Sequence, residues 1–378
     1  MAAATLLPIA FGIVAAFMID DLGISRERFG LAVTVNLLAG AAFSLFAGRF
    51  TDKMGGRTSL VLVFLLASAG FVGSAVSPWF LLLLVASALG GLAQGLGNPA
   101  TNKLIAGAVP AGRRGVITGV KQSGVQVGVF VGGLLLPWGA EAFGWRPTLA
   151  VASAVILAGA LFSALLPRPA AAPGPPALLT PALTRSMRRL ALYGGLVGFG
   201  GATGFFLPLY VEETLGRSVQ TGGRAVAVMG VTAVVARILW ARIAERTHRF
   251  TPELAAIAGV AAVAALLLLA AEATGALLWV GAVLLGLSAQ SWNSVGNLAT
   301  MYEAGPQLAG HASGIVYVGF LGGLGIAPTI YGRTIDATGG YGLMWGLAIG
   351  AFLLALVVLA VWHPAKEAPT AAPASGAR

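Results

Sequence analysis

Cysteine is absent from the chain, histidine occurs only three times, and charged residues fill only 10% of its 378 positions. Without cysteine there is no disulfide framework and no thiol chemistry, and redox usage gives no clue to compartment. Three histidines and no cysteine form no metal-ligand cluster. No P-loop is present, so ATP bound to this chain drives nothing. "GFGGATG" (198–204) superficially echoes a dinucleotide loop, but it lies within an apolar helical run with no preceding strand and reads as helix packing. No nucleophile–base pair or metal set points to an enzyme, and no cofactor is expected.

The scarcity of charge also excludes a soluble fold. Hydrophobic residues make up 57% of the chain and mean hydropathy is +0.88. A soluble domain of this length needs a wettable exterior that such a composition cannot supply. The apolar runs are long enough to cross a hydrocarbon layer of about 30 Å as helices. Twelve spans are expected, near 3–19, 30–48, 58–76, 79–101, 116–137, 146–166, 189–211, 224–243, 252–272, 276–300, 312–332 and 341–362. "MAAATLLPIAFGIVAAFMIDD" reads as the first of these rather than as a cleaved leader, because a charged n-region is missing, and its natural start could lie upstream. The net charge of +10 follows loops, not a nucleic-acid stripe. Loops 2–3, 4–5, 6–7, 8–9 and 10–11, with the C-terminal tail, hold fourteen Lys and Arg; the opposite loops hold six, among eight Asp and Glu. That asymmetry places both termini in the cytoplasm of a cell with an inner membrane as the site of residence.

The chain repeats itself. "TGVKQSGVQVGVFVGG" (118–133) aligns with "SGIVYVGFLGGLGIAP" (313–328), matching Gly119, Gly124 and Gly128 to Gly314, Gly319 and Gly323. "LGGLAQ" (89–94) falls over "LGLSAQ" (285–290), and "AGRFTDK" (47–53) over "ARIAERT" (241–247), keeping Arg49 as Arg242 and Asp52 as Glu245. Residues 167–188, rich in Pro and Ala, read as an extended linker. The expected organisation is a six-helix bundle over 1–166, the linker, a second bundle over 189–362, and a disordered cytoplasmic tail over 363–378. Parallel repeats with a site between them are one architecture of secondary transporters.

One loop concentrates what the rest of the chain avoids. "GRFTDKMGGRT" (48–58) carries four charges and three glycines between spans 2 and 3. Gly48-x-x-x-Asp52-Lys53-x-Gly55-Gly56-Arg57 resembles the loop signature of the major facilitator superfamily, at the place where that family carries it. The resemblance extends to the twelve spans, the central linker and the weaker echo at Arg242 and Glu245. It implies an all-α membrane fold of two pseudo-symmetric six-helix bundles. It also implies that Gly48, Arg49, Asp52, Gly55 and Arg57, with Arg242 and Glu245, form a cytoplasmic gate that stabilises the outward-open state. Physically, Asp52 can accept hydrogen bonds from helix N-terminal amides, or pair with Arg57 or Lys53, in one packing only. The bland alternative is an ordinary positive-inside loop with snorkelling side chains.

Polar residues inside a membrane are expensive and mark pathways. On the fourth span Gln94, Asn98, Thr101 and Asn102 share one face, and on the tenth Gln290, Asn293, Ser294 and Asn297 do the same, with Trp292 beside them. On the fifth, Gly124, Gly128 and Gly132 form a packing ridge while Gln122 and Gln126 lie on another face. That span resembles the glycine-rich signature of the family's antiporters, except that Val129 replaces its proline; Gly91 likewise replaces a basic residue on the fourth span. Both departures count against drug efflux. Lys121 and Arg237 lie inside the membrane without an acid at helical spacing, so they favour an anion touching both halves over simple snorkelling; Lys103 reads mainly as snorkelling. Asp20, Asp21, Glu212, Glu213 and Glu303 sit at span ends, so no carboxylate proton carrier is evident; His311 reads as a boundary residue.

The expected function is a secondary active transporter working by alternating access, carrying a small carboxylate-like anion, with protons as a candidate coupling ion. The expected substrate contacts are Lys121, Gln122, Gln126, Arg237, Gln94, Asn98, Gln290, Asn293 and Asn297. The bilayer is its solvent, nucleic acid is not a partner, and the protein is expected to be monomeric. A drug or metabolite efflux antiporter and a non-transporting membrane receptor stay open as alternatives.

Overall fold

A computed structural model of the chain describes residues 1–110, 113–166, 185–247 and 249–361, with the side chains of 114–116, 119 and 304–311 outside the description. Most of the predicted linker and all of the predicted tail therefore fall outside the described residues, as does the side chain of His311. The described residues are helical and contain no strand, as lipid requires, since a helix satisfies its backbone groups within one segment.

Fourteen α-helices follow in order: α1 (Ala2–Ile13), α2 (Ala15–Leu22), α3 (Arg26–Met54), α4 (Gly56–Ala75), α5 (Phe80–Ala108), α6 (Arg114–Phe143), α7 (Trp145–Leu165), α8 (Arg185–Gly201), α9 (Leu207–Glu213), α10 (Val219–Thr247), α11 (Phe250–Leu269), α12 (Gly275–Leu287), α13 (Asn293–Thr338) and α14 (Gly342–Ala360). Among the described residues nine helices are long and apolar enough to span a membrane; α1 with α2, bent by 67°, and α8 with α9, bent by 44°, make two more. Several helices overrun their predicted limits, α3, α5 and α10 each reaching 29 residues.

The tenth and eleventh spans depart from expectation. The predicted helix 276–300 is broken, with α12 ending at Leu287 and α13 starting at Asn293. The predicted loop after it is helical in backbone, so that α13 counts 46 residues. Straight, it would measure about 69 Å. Yet the rings of Trp292 and Phe320 lie 5.1 Å apart, so the helical run doubles back beyond Tyr302. The broken α12–α13 segment and the returning part of α13, from Ala312, bring the chain to an arrangement consistent with twelve crossings.

Glycine marks the reversals. Gly23, Gly55, Gly144, Gly216 and Gly339 have φ between 58° and 87°, a region closed to most side chains. Gly23 and Gly216 lie 193 positions apart, Gly144 and Gly339 195 apart: the same two turns, one in each repeat. Packing follows the repeat as well. α4 packs on α5 and α7, and α1 on α6; α8 packs on α13 and α14, and α11 on α12 and α14. Across the halves, α3 meets α13 and α6 meets α10. The glycine ridge of α6 rests on α1, with Gly128 against Ala2 and Gly132 near Leu6. "GFGGATG" is helix packing, with Gly198 against Phe320 and Gly200 against Phe352.

Candidate functional site

The halves touch at one end and part at the other. At the end carrying the Gly23 and Gly339 turns, Arg26 reaches from α3 to the end of α9, where Nη2 and Nε meet the two Glu213 oxygens at 2.7 and 2.9 Å. Tyr341 donates to Glu213 Oε2 at 2.6 Å. The Asp336 carboxylate accepts from the backbone N–H of Arg26 at 3.2 Å and of Glu27 at 2.8 Å, so a residue of α13 caps the N-terminus of α3, where the helix dipole favours an anion. Below this cluster a Cβ at Gly30 would collide with the Pro328 carbonyl, and one at Gly332 with that of Arg26. Thr329 Oγ1 bonds Thr34 Oγ1 at 2.8 Å. On the other seam Gly133 faces Gly223, and Val129 fills the space over Gly230.

Beyond Val129 and Gly325 the helices separate around a cavity of about 1200 Å³. The α5 wall presents Gln94, Asn98 and Asn102; Thr101, from the same predicted face, instead turns back to the Gly97 and Asn98 carbonyls. The α6 wall presents Gln122 and Gln126, the latter only 4% exposed. Gln290, Asn293, Ser294 and Asn297 line the cavity even though Gln290 lies in the break ahead of α13. Arg237 lines it from α10, with Nη2 3.1 Å from the Gln290 carbonyl that the break leaves free. Arg242 stands nearer the basic end, one and a half turns further along α10. Among the described residues no Asp or Glu lines the cavity.

Two sequence expectations need correction. Lys121 is not on the cavity wall; its ammonium donates to Asn102 Oδ1 at 2.6 Å and Asn98 Oδ1 at 3.2 Å. Trp292 is 1% exposed and packs between Tyr193 and Phe320 rather than beside the polar stripe. The sequence reading passed over Tyr317, which lines the cavity from α13; its apolar neighbourhood gave no signal. It also passed over Arg26. The signal was there, since a base among acidic loops calls for a partner just as Asp52 does among basic ones.

At the basic end the seven gate residues make no hydrogen bond or ion pair across the halves among the described residues. Asp52 pairs with neither Arg57, Lys53 nor a helix terminus but with Lys103 of α5, at 2.6 Å; Lys103 is thus an ion-pair partner rather than a snorkelling residue. Arg57 donates to the Ala164 carbonyl. Arg49, Arg242 and Glu245 are exposed, and nothing lies within 4 Å of a Cβ built on Gly48 or Gly55.

Comparison with known proteins gives the same fold. The solved structure of a D-xylose–proton symporter superposes with a TM-score of 0.76 over 94% of this chain and 95% of that one, at 18% identity. A probable nitrate/nitrite transporter of Mycobacterium tuberculosis is 28% identical over 84% of this chain and 82% of its own length. A hexuronate transporter of Bacillus subtilis is 28% identical over 36% of this chain, a match spanning about a third (32%) of that relative. The sequence pattern of the Major Facilitator Superfamily matches residues 1–328. Nine to eleven apolar spans among the described residues and that match together make this chain a multi-pass membrane transporter, not an enzyme, and a member of the Major Facilitator Superfamily.

Proposed function

We propose that the protein carries a small organic or inorganic anion through the central cavity by alternating access, the two halves (1–166 and 189–362) rocking as bodies about their seams. One observation carries this reading: among the described residues the cavity wall holds arginine and amide groups and no carboxylate. Arg237 gives Nε and Nη2 to one backbone carbonyl, which leaves further N–H donors for an oxyanion, and a guanidinium pairs such groups through two parallel bonds. The names of two relatives, a hexuronate and a nitrate/nitrite transporter, agree with an anionic cargo. With the basic loops in the cytoplasm, as their excess of Lys and Arg favours, the open cavity faces inward.

Uptake of labelled glucuronate and nitrate into proteoliposomes, with and without an imposed pH gradient, tests the reading. Wild type is expected to accumulate at least one of them, and Arg237→Gln to lose at least tenfold in uptake. Equal uptake by the variant, or transport of amphipathic cations in place of both anions, overturns the anion reading in favour of efflux of apolar compounds.

A further inference from the structure

Resting on that anion reading, we propose that Lys121 is a positioning residue. It holds the amides of Asn98 and Asn102 so that their N–H₂ groups, not their oxygens, form the docking surface for cargo on the α5 wall.

The argument starts from donor and acceptor types. An ammonium has three N–H donors and no lone pair, so any amide bonded to it must offer its oxygen. Lys121 Nζ holds Oδ1 of both asparagines, at 3.2 and 2.6 Å. The amide nitrogen lies across the carbonyl carbon from that oxygen, so fixing one fixes the other. Asn98 and Asn102 line the cavity while Lys121 does not, which puts the ammonium behind the wall and the amides on it. Neither Nδ2 group has a hydrogen-bond partner among the described residues, and no carboxylate pairs with Lys121 there.

An unrestrained asparagine presents either end of its amide at little cost, so it selects neither donors nor acceptors. With both oxygens tied to one cation, two donors spaced one helical turn apart on α5 face the cavity. They accept oxygen-rich groups and reject ammonium or N–H groups. The uncompensated charge behind them adds attraction for an anion. Arg237 lies across the cavity on α10, so the α5 donors and the α10 guanidinium act on one cargo from the two halves.

The substitution Asn102→Asp separates this role from a direct one. The side chain is isosteric, its carboxylate keeps and strengthens the Lys121 contact, and the fold should stand, as checked by gel filtration and Tm. It replaces the cavity-facing N–H₂ by an oxygen. For whichever of glucuronate and nitrate wild type carries, Asn102→Asp is expected to raise KM at least tenfold with maximal rate within twofold. Lys121→Met, which frees both amides to turn, should raise KM about as much, and Lys121→Arg should restore it to within threefold of wild type. An unchanged KM in Asn102→Asp overturns the inference, and so does a loss in Lys121→Met that arginine fails to rescue. If Arg237→Gln raises KM while Asn102→Asp does not, only the role of Lys121 falls. If neither variant alters KM, or wild type carries neither probe, the anion reading falls with it.

Discussion

The two ends of the molecule are built from the same repeated helices, yet one is sealed and the other open. At the sealed end Arg26, Glu213, Asp336 and Tyr341 join three segments, and glycine lets α3 and α13 approach until carbonyl oxygens fill the place of a Cβ. At the open end Asp52 and Arg57 bond only within their own half, and Gly48, Gly124 and Gly314 face empty space. Small residues thus have opposite surroundings at the two ends. The crowded glycines on these helices mark contacts made in this structure. Under the alternating-access reading proposed above, the opposite state would have to trade these long-range contacts for others of similar free energy.

The largest effect that would break this comparison comes from Gly30→Val. Its side chain cannot coexist with the Pro328 carbonyl, so the sealed end should be unable to form and uptake should fall about a hundredfold. The absence of native cysteine makes the check direct, since Thr329→Cys alone should resist a polar maleimide and become reactive in the double variant. Unchanged protection would mean that the two helices do not close there.

A smaller effect follows from Glu213→Gln. It removes the negative partner of Arg26 and weakens the acceptor of Tyr341; the Arg26 and Glu213 side chains are 34% and 26% exposed. Charge-assisted bonds at such a site are worth roughly 1–2 kcal/mol after screening. The labelling rate at Thr329→Cys should therefore rise about 5- to 30-fold, and the rise should shrink in high salt, where exposed pairs are screened. A rate insensitive to the substitution would remove the acid from the latch.

The smallest effect belongs to Asp52→Asn. Its carboxylate is 73% exposed and pairs with Lys103 within one half. The thermal midpoint should move by no more than about two degrees, as for exposed ion pairs. A larger loss would show that the pair at the open end holds the fold together as firmly as the cluster at the sealed end.

Much of the cavity was legible because its residues violate a local rule. Gln94 and Asn98 on α5, and Asn293 and Asn297 on α13, recur at helical spacing inside apolar runs, where each polar group needs a compensating environment. That each pair shares one helix face follows from the period alone, whereas their meeting at one cavity is a tertiary result. The break at 288–292 was not legible, because Ser, Gln and Trp are compatible with a continuous helix; the break is marked by a free Gln290 carbonyl bonded to Arg237, a partner 53 positions away. Lys121 misled for a related reason. Its neighbours at helical spacing on α6 include no acid, and the two amide oxygens that satisfy it come from α5.

By itself the sequence determined that the chain lives in lipid, that it is a doubled unit, and which helix faces are polar. Those properties are sums over residues next to each other or one turn apart, so hydropathy and period are enough to read them. Only the tertiary structure decided which end is sealed, that Arg26 bridges to Glu213 and Asp336, and that Lys121 bonds the amide oxygens of Asn98 and Asn102. These pairs join residues 19 to 310 positions apart, and they depend on how rigid helices lie against one another, a choice that no local preference along the chain encodes.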